Sequence, residues 1–309
     1  MKRSLAVVFI MIFTACLSYA QVTEVVKEMR TLPADSVDGW KKGITSFINM
    51  SQTSLTNWSA GGENSLSING LINAKANLKK GKSNWDNSLD LGYGLLKQGE
   101  KAGFIKTDDK IELVSKFGYH AFGKWNYAVL LSFKTQMAKG YNYPNDSIAI
   151  SKFLAPGYIL GAAGLDYMPN DNFSAFISPL TGKVTLVNDQ TLADSGAYGV
   201  KPGQKSRIEM GGYIRLVFQK ELIDNVSFTT KIDLFSNYLD NPQNIDINWE
   251  TLLTLEANKY LSATLSTLLI YDDNIKIEKD TNNDGIIDSK GPRIQFKEVL
   301  SIGITLNFN

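Results

Sequence analysis

Alternation of apolar and polar residues, repeated in run after run, is the feature that most limits what this chain can fold into. At the C-terminus Leu300, Ile302, Ile304, Leu306 and Phe308 alternate with Ser301, Gly303, Thr305 and Asn307. Successive side chains of a strand point to opposite faces, so a period of two gives one apolar face and one polar face. The same pattern sets Ile111, Leu113, Ser115, Phe117 and Tyr119 against Lys110, Glu112, Val114, Lys116, Gly118 and His120. It recurs in Val226, Phe228, Thr230, Ile232 and Leu234 against Ser227, Thr229, Lys231 and Asp233, and in Ile245 to Leu255 against Asp246 to Glu256.

Twelve such runs follow Trp40, centred near residues 47, 72, 90, 115, 131, 161, 176, 213, 231, 250, 266 and 301. This leaves about 22 residues per strand plus connection, which suits membrane strands of about 9 to 11 residues. The connections alternate in length. Lys80 to Ser83, Gly123-Lys124, Pro169 to Asn172, Glu221 to Asn225 and Asn258-Lys259 read as tight turns, rich in Gly, Pro, Asn and Lys. Between them lie longer polar stretches, Lys139 to Lys152, Asn188 to Ser206, Asn237 to Asn244 and Asp272 to Pro292.

The first twenty residues read as a secretory signal: Lys2 and Arg3, an apolar run from Leu5 to Phe13, and Ser18-Tyr19-Ala20 as the cleavage site. A run of about 9 apolar residues is far short of the roughly 20 that a spanning helix needs. Residues 21–40, with Val22, Val25, Val26 and Met29 at helical spacing, are expected to be a periplasmic N-terminal segment, and residues 41–309 a single domain without a linker. Cys16, the only cysteine, falls inside the signal, so cleavage leaves no thiol and no disulfide. An alternative makes Phe13-Thr14-Ala15-Cys16 a lipidation box, although Phe is a poor first residue for one.

These features predict an all-β fold, a transmembrane up-and-down antiparallel β-barrel of about 12 strands in the bacterial outer membrane. Short periplasmic turns, long outer loops, an even strand count and both termini on one side form that pattern. Trp40, Trp58, Trp85, Trp125, Tyr127, Tyr167, Tyr238, Tyr260 and Tyr271 fall near strand ends, where interfacial girdles lie. A soluble sandwich would also alternate, but its outward face would be polar. Removing Lys2 and Arg3 from 32 basic residues leaves 30 against 31 acidic ones, and no basic stripe suggests nucleic acid as a partner.

The segment Ser51-Gln52-Thr53-Ser54-Leu55-Thr56-Asn57-Trp58-Ser59-Ala60-Gly61-Gly62-Glu63-Asn64-Ser65 resembles a family of outer-membrane-type proteins, domain of unknown function 3078. Ile177-Ser178-Pro179-Leu180-Thr181-Gly182-Lys183, then Leu192-Ala193 and Gly199-Val200, is similar to the family's central motif, and Phe308-Asn309 to its C-terminus. The resemblance implies a β-barrel and no activity. It also implies outer-membrane lipid and the barrel-assembly machinery as partners, through an aromatic C-terminal strand.

Three constellations bear on chemistry. Asp280-Thr281-Asn282-Asn283-Asp284-Gly285-Ile286-Ile287-Asp288 has the spacing of a calcium loop, with Asp280, Asn282, Asp284, the carbonyl of Ile286 and Asp288 as candidate Ca²⁺ ligands. Position twelve is Gly291 rather than Glu, so this is no EF-hand; the competing reading is a solvated acidic loop. His120, the sole histidine, shares the predicted lumen face with Lys110, Glu112 and Lys116, which argues against lipid hydrolysis there. Asp86, Asp90, Glu112, Lys116, Lys134, Glu209, Arg215, Lys231, Asp233, Glu250 and Glu256 form a lumen set of mixed sign. Either they interlock and fill a narrow barrel, or they line a polar channel. Pro179 within a strand suggests a bulge or an early strand end. The expected role is a small-solute channel or transporter; the alternatives are a structural accessory protein with a charge-filled lumen and a calcium-ordered outer loop, and, behind both, a hydrolase. The reading is of a protein that is not an enzyme.

Overall fold

A computed structural model describes residues 38–56, 59, 63–99, 103–143, 145–279 and 288–308. The signal and most of the N-terminal segment, Trp58, and Asp280 to Ile287 of the calcium motif lie outside the described residues. In chain order the strands are β1 (Gly39–Thr53), β2 (Ser65–Lys80), β3 (Ser83–Gln98), β4 (Ile105–Phe122), β5 (Trp125–Thr135), β6 (Gly140–Asn142), β7 (Asn145–Ser151) and β8 (Gly157–Asn170). They continue as β9 (Phe173–Leu186), β10 (Ser206–Ile223), β11 (Val226–Asn237), β12 (Ile245–Glu256), β13 (Leu261–Tyr271), β14 (Lys276–Lys279), β15 (Ser289–Pro292) and β16 (Gln295–Phe308).

Twelve of these close into one barrel in the order β1-β16-β13-β12-β11-β10-β9-β8-β5-β4-β3-β2, all neighbours antiparallel. Each of the twelve predicted centres falls in a barrel strand. β6 and β7 form a hairpin within the β5–β8 loop, and β14 and β15 one within the β13–β16 loop. The β9–β10 loop carries a short helix α1 (Gln190–Asp194). The five tight turns all lie at one end, with Gly81 (φ 57°) and Gly123 (φ 55°) taking the left-handed conformation that a two-residue hairpin requires. Gly39 and Phe308 lie at that same end, the periplasmic one by the pattern of such barrels.

The alternation sorts side chains as expected. On β5 Tyr127, Val129 and Leu131 are exposed, while Asn126, Ala128, Leu130 and Ser132 are buried. On β16 Leu300, Ile302, Ile304 and Phe308 all face outward. A closed sheet leaves no edge, so its backbone groups are paired in lipid, and an apolar exterior around a polar interior makes this an outer-membrane barrel. The rings of Trp40 and Trp85 pack at a tilt with centroids 5.8 Å apart and those of Trp125 and Tyr167 with centroids 4.8 Å apart, both pairs at the periplasmic strand ends where a girdle belongs.

Polar groups on the outer face satisfy one another. Trp85 Nε1 donates to Ser115 Oγ at 2.9 Å, and that hydroxyl donates to Asn87 Oδ1 at 2.7 Å. Trp249 Nε1 donates to Thr230 Oγ1 at 2.9 Å, and Thr251 and Thr267 pair at 2.7 Å. Each arrangement spares a donor in hydrocarbon, where an unmet one costs several kcal/mol.

Pro179 marks a bulge, as its place in a strand suggests. Register shifts flank it on both sides, between Ala163 and Leu165 of β8 and between Gly211 and Tyr213 of β10. A proline has no N–H to give a ladder, and here the extra residue bows toward Gly164, whose missing Cβ leaves the space that the backbone of Ile177 and Ser178 occupies.

Candidate functional site

The lumen holds the chemistry, and its two sides are built differently. The inward positions of β5, β8, β9, β10 and β11 bring Leu130, Ala162, Phe176, Tyr213 and Phe235 into one apolar cluster with Val114 of β4. Phe176 is 0% exposed and Leu130 1%, so this sector is packed solid. Inward positions of β13, β16, β1, β2 and β3 are for the most part small or polar instead, among them Thr264, Ser266, Thr305, Thr45, Asn73 and Ser88, with Phe47, Leu71, Leu268 and Ile270 as larger apolar residues between them. Beside them runs a cavity of about 1260 Å³. Its wall begins at Gly39 and Lys79 on the periplasmic rim and ends at Tyr198 and Ile275 under the outer loops.

Ion pairs stand along the border between the two sides. Glu112, 1% exposed, receives Lys110 at 2.9 Å, Lys134 at 3.1 Å, Lys231 at 3.1 Å and Arg215 at 3.9 Å. Glu250 takes Lys110 at 3.0 Å and Lys231 at 3.2 Å. Asp233 accepts from Tyr213 Oη at 2.6 Å and lies 3.6 Å from Arg215. A carboxylate removed from water is tolerable only when paired, and here each one has cations from more than one strand.

Two further groups lie above and below. Toward the outside Lys183 meets Asp246 at 2.6 Å, Glu209 at 3.6 Å and Asp272 at 3.7 Å, over the ring of Phe235 at 4.9 Å. Arg207 adds a contact to Glu209 at 2.9 Å. Toward the periplasm Lys116 donates to Asp166 at 2.5 Å, with Asp86 in register beside Lys116. The predicted lumen set is therefore brought to one interior. Asp90 accepts from Asn73, and Glu256 stands half-buried on the same face of β12 at its periplasmic end.

The prediction omitted Lys183, Asp166, Asp272, Asp108 and Lys297. Lys183 has a specific cause: Ser178 and Thr181 both point inward across the Pro179 bulge, so parity counted from Phe176 would place Lys183 on the lipid side. Only the proline announces the flip. His120 is exposed at the periplasmic end of β4, opposite Asn126 in register. Of the calcium motif, Asp288 alone is described; hairpin β14–β15 brings Lys279 and Ser289 into register on either side of the rest.

The outer loops add a cap with a core of its own. Ala155, Val187, Leu192, Ala193 and Val200 are buried together, with Tyr198 against them. Tyr198 Oη donates to the Ile150 carbonyl at 2.7 Å, and burial pushes its phenol up to about 12. Asp189 caps α1 by accepting from the Leu192 N–H at 3.1 Å and also pairs with Lys152. The hydrogen bond from Lys152, and then that from Leu192, holds the Asp189 carboxyl below its usual range.

The loop and strands at the start of the barrel carry a family signature. Residues 50–141 match the family model described as protein of unknown function, DUF3078. The match takes in the first of the motifs by which the sequence resembles this family. No curated protein matches the chain.

Several solved structures of outer-membrane proteins align with most of the chain. The COG4313 outer membrane channel from Pseudomonas putida F1 aligns at TM-score 0.40 and 10% identity, covering 89% of this chain and 97% of that one. Outer membrane phospholipase A from Escherichia coli aligns at TM-score 0.37 and 10% identity over 86% and 89%. The translocator domain of autotransporter NalP from Neisseria meningitidis aligns at 0.32 and 9% identity over 93% and 92%. Likeness at this level does not extend to chemistry.

Proposed function

We propose that this barrel is a non-enzymatic conduit for small polar solutes across the outer membrane, and that its path is the open side of the lumen. One observation carries the reading: the cavity of about 1260 Å³ has a wall that runs from Gly39 at the periplasmic rim to Tyr198 beneath the outer loops. A barrel kept only as a structural element has no need of that space. Large inward side chains on β13, β16 and β1 to β3 would fill it as Phe176 and Leu130 fill the other side, and would add stability at about 25 cal/mol per Å² of apolar area buried. Serine, threonine and asparagine hold most of these positions instead, with Phe47, Leu71, Leu268 and Ile270 spaced among them, and they offer hydrogen bonds to a hydrated solute without holding it.

The test is conductance of the purified, heat-modifiable protein in planar bilayers, joined to swelling of liposomes in small sugars or amino acids. Steady conductance and swelling are expected. Well-folded protein that gives neither would remove the conduit reading and favour the structural one.

A further inference from the structure

Lys110 and Glu250 meet at 3.0 Å although their strands, β4 and β12, are diametrically opposed: five strands separate them in either direction round the barrel. A circular barrel of twelve strands at about 4.8 Å spacing and about 40° tilt has a backbone diameter of roughly 24 Å. A fully extended lysine reaches about 6 Å from its Cα and a glutamate about 5 Å, so this contact holds the two walls within about 14 Å. The barrel is thus pinched along the β4–β12 axis, and the pair stands between the packed side and the open side.

A second bridge starts from the next inward position of β4. Asp108 accepts from Lys297 of β16 at 2.6 Å, four strands away through β3, β2 and β1. The two bridges form a V with its apex on β4 and its feet on β12 and β16. Ser266 of β13 looks into the V, and Thr45 of β1 lies beyond its second arm. Both pairs line the cavity, and all four side chains are only partly exposed, at 33% and 25% for the first pair and 41% and 26% for the second.

We propose that Lys110–Glu250 and Asp108–Lys297 are the specificity-determining contacts of this lumen, dividing the cavity into slots and so setting the largest solute that can enter it. The inference rests on the cavity being the solute path. Lys297 and Asp108 form a partly exposed pair that is worth little to the fold, so removing that bridge changes the opening far more than the stability, whereas Glu250 shares Lys110 and Lys231 with the buried cluster and its loss costs stability as well. Narrow slots lined by hydroxyl groups admit small neutral or zwitterionic solutes; a bulky solute has to break a bridge to enter.

The experiment reads access to the lumen without requiring transport. In a Cys16→Ser background, Ser266→Cys and Thr45→Cys are each labelled in lipid vesicles with maleimides of graded size. Glu250→Gln or Lys297→Gln is expected to let a larger maleimide react at the wild-type rate of a smaller one. It is also expected to roughly double the single-channel conductance, since pore width governs both. The exchange Asp108→Lys with Lys297→Asp keeps a bridge of reversed polarity and is expected to restore the wild-type size limit, which a mere loss of folding would not allow. An unchanged size limit in heat-modifiable Glu250→Gln and Lys297→Gln proteins overturns the inference, whatever the wild type conducts. A raised limit in proteins that never conduct upholds the slots and removes the conduit.

Discussion

Glu112 on β4 and Lys134 on β5 stand opposite each other in register with their charged ends 3.1 Å apart, yet Lys134 is only one of four cations gathered on that carboxylate. Replacing Glu112 by Gln keeps its shape and leaves Lys110, Lys134, Lys231 and Arg215 crowded round a neutral amide. Breaking a buried pair in this way costs roughly 3–5 kcal/mol, because the penalty of burying the remaining charge is no longer offset. Urea unfolding of the barrel in vesicles should show that loss for Glu112→Gln. A shift below about 1 kcal/mol, the range of a surface pair, would mean that water screens the cluster.

The outer cap should loosen in acid. Asp189 has its carboxyl held below the ordinary value of 3.8 by the hydrogen bond from Lys152 and then that from the Leu192 amide. A depressed pKa means that the ionised form is favoured in the folded cap. Its contribution is therefore complete above pH 3.8 and is lost as pH falls through the lower folded value. Limited proteolysis of the β9–β10 loop should accelerate below about pH 4 in the wild type. Asp189→Asn should cut faster at neutral pH and lose most of that acid step; an identical pH profile in the variant would remove Asp189 as its cause.

Much of this barrel could be read from a single chain because its signals are local. Period two in β4, β11, β12 and β16, and the turn residues between hairpins, depend on neighbours in sequence, so strand count and the inward set followed. β5 is harder: Ala128 to Leu131 are apolar on both faces, and alternation could not reveal that its inward residues belong to a packed cluster. Pairing across the lumen was invisible for a different reason. Lys110 and Glu250 lie 140 positions apart and meet only because the sheet closes. A list of charges therefore gave mixed sign, while the separation into a filled side and an open side comes from closure and from the bulge at Pro179.

That bulge leads to a prediction about Gly164. A Cβ there would collide with the Ile177 carbonyl and the Ser178 backbone, which cannot swing away as a flexible side chain would. Gly161 and Gly182 of the same sheet have nothing within 4 Å of the corresponding position. Gly164→Ala should therefore lower the unfolding free energy by about 1–3 kcal/mol, as overpacking typically does, whereas Gly161→Ala stays near wild type. Equal stability of the two variants would mean that the bulge relaxes freely.

The lipid face offers a double-mutant test. Trp249 Nε1 donates to Thr230 Oγ1, whose hydroxyl in turn donates to the Glu250 carbonyl at 3.1 Å. Trp249→Phe removes the donor, and Thr230→Val strands the indole N–H in hydrocarbon. The two should be coupled by about 0.6 kcal/mol, the average for such bonds in membranes, in the sense that the double variant loses less than the two singles together. Strict additivity would show that the indole finds a lipid headgroup instead.

Phe176 separates the two sides of the lumen most directly. It is fully buried, with its ring 6.2 Å from that of Tyr213, and Phe176→Ala should cost about 3–5 kcal/mol by the transfer and cavity terms together. The new void would be walled by Leu130, Ala162 and Val114, and an apolar void of this kind stays dry. A dry void carries no solute. Unfolding should therefore come at lower urea while liposome swelling keeps the wild-type rate and size limit, the reverse of what Lys297→Gln is expected to do. Faster swelling in Phe176→Ala would show that the packed side is part of the path and that solutes are not confined to the hydroxyl-lined wall.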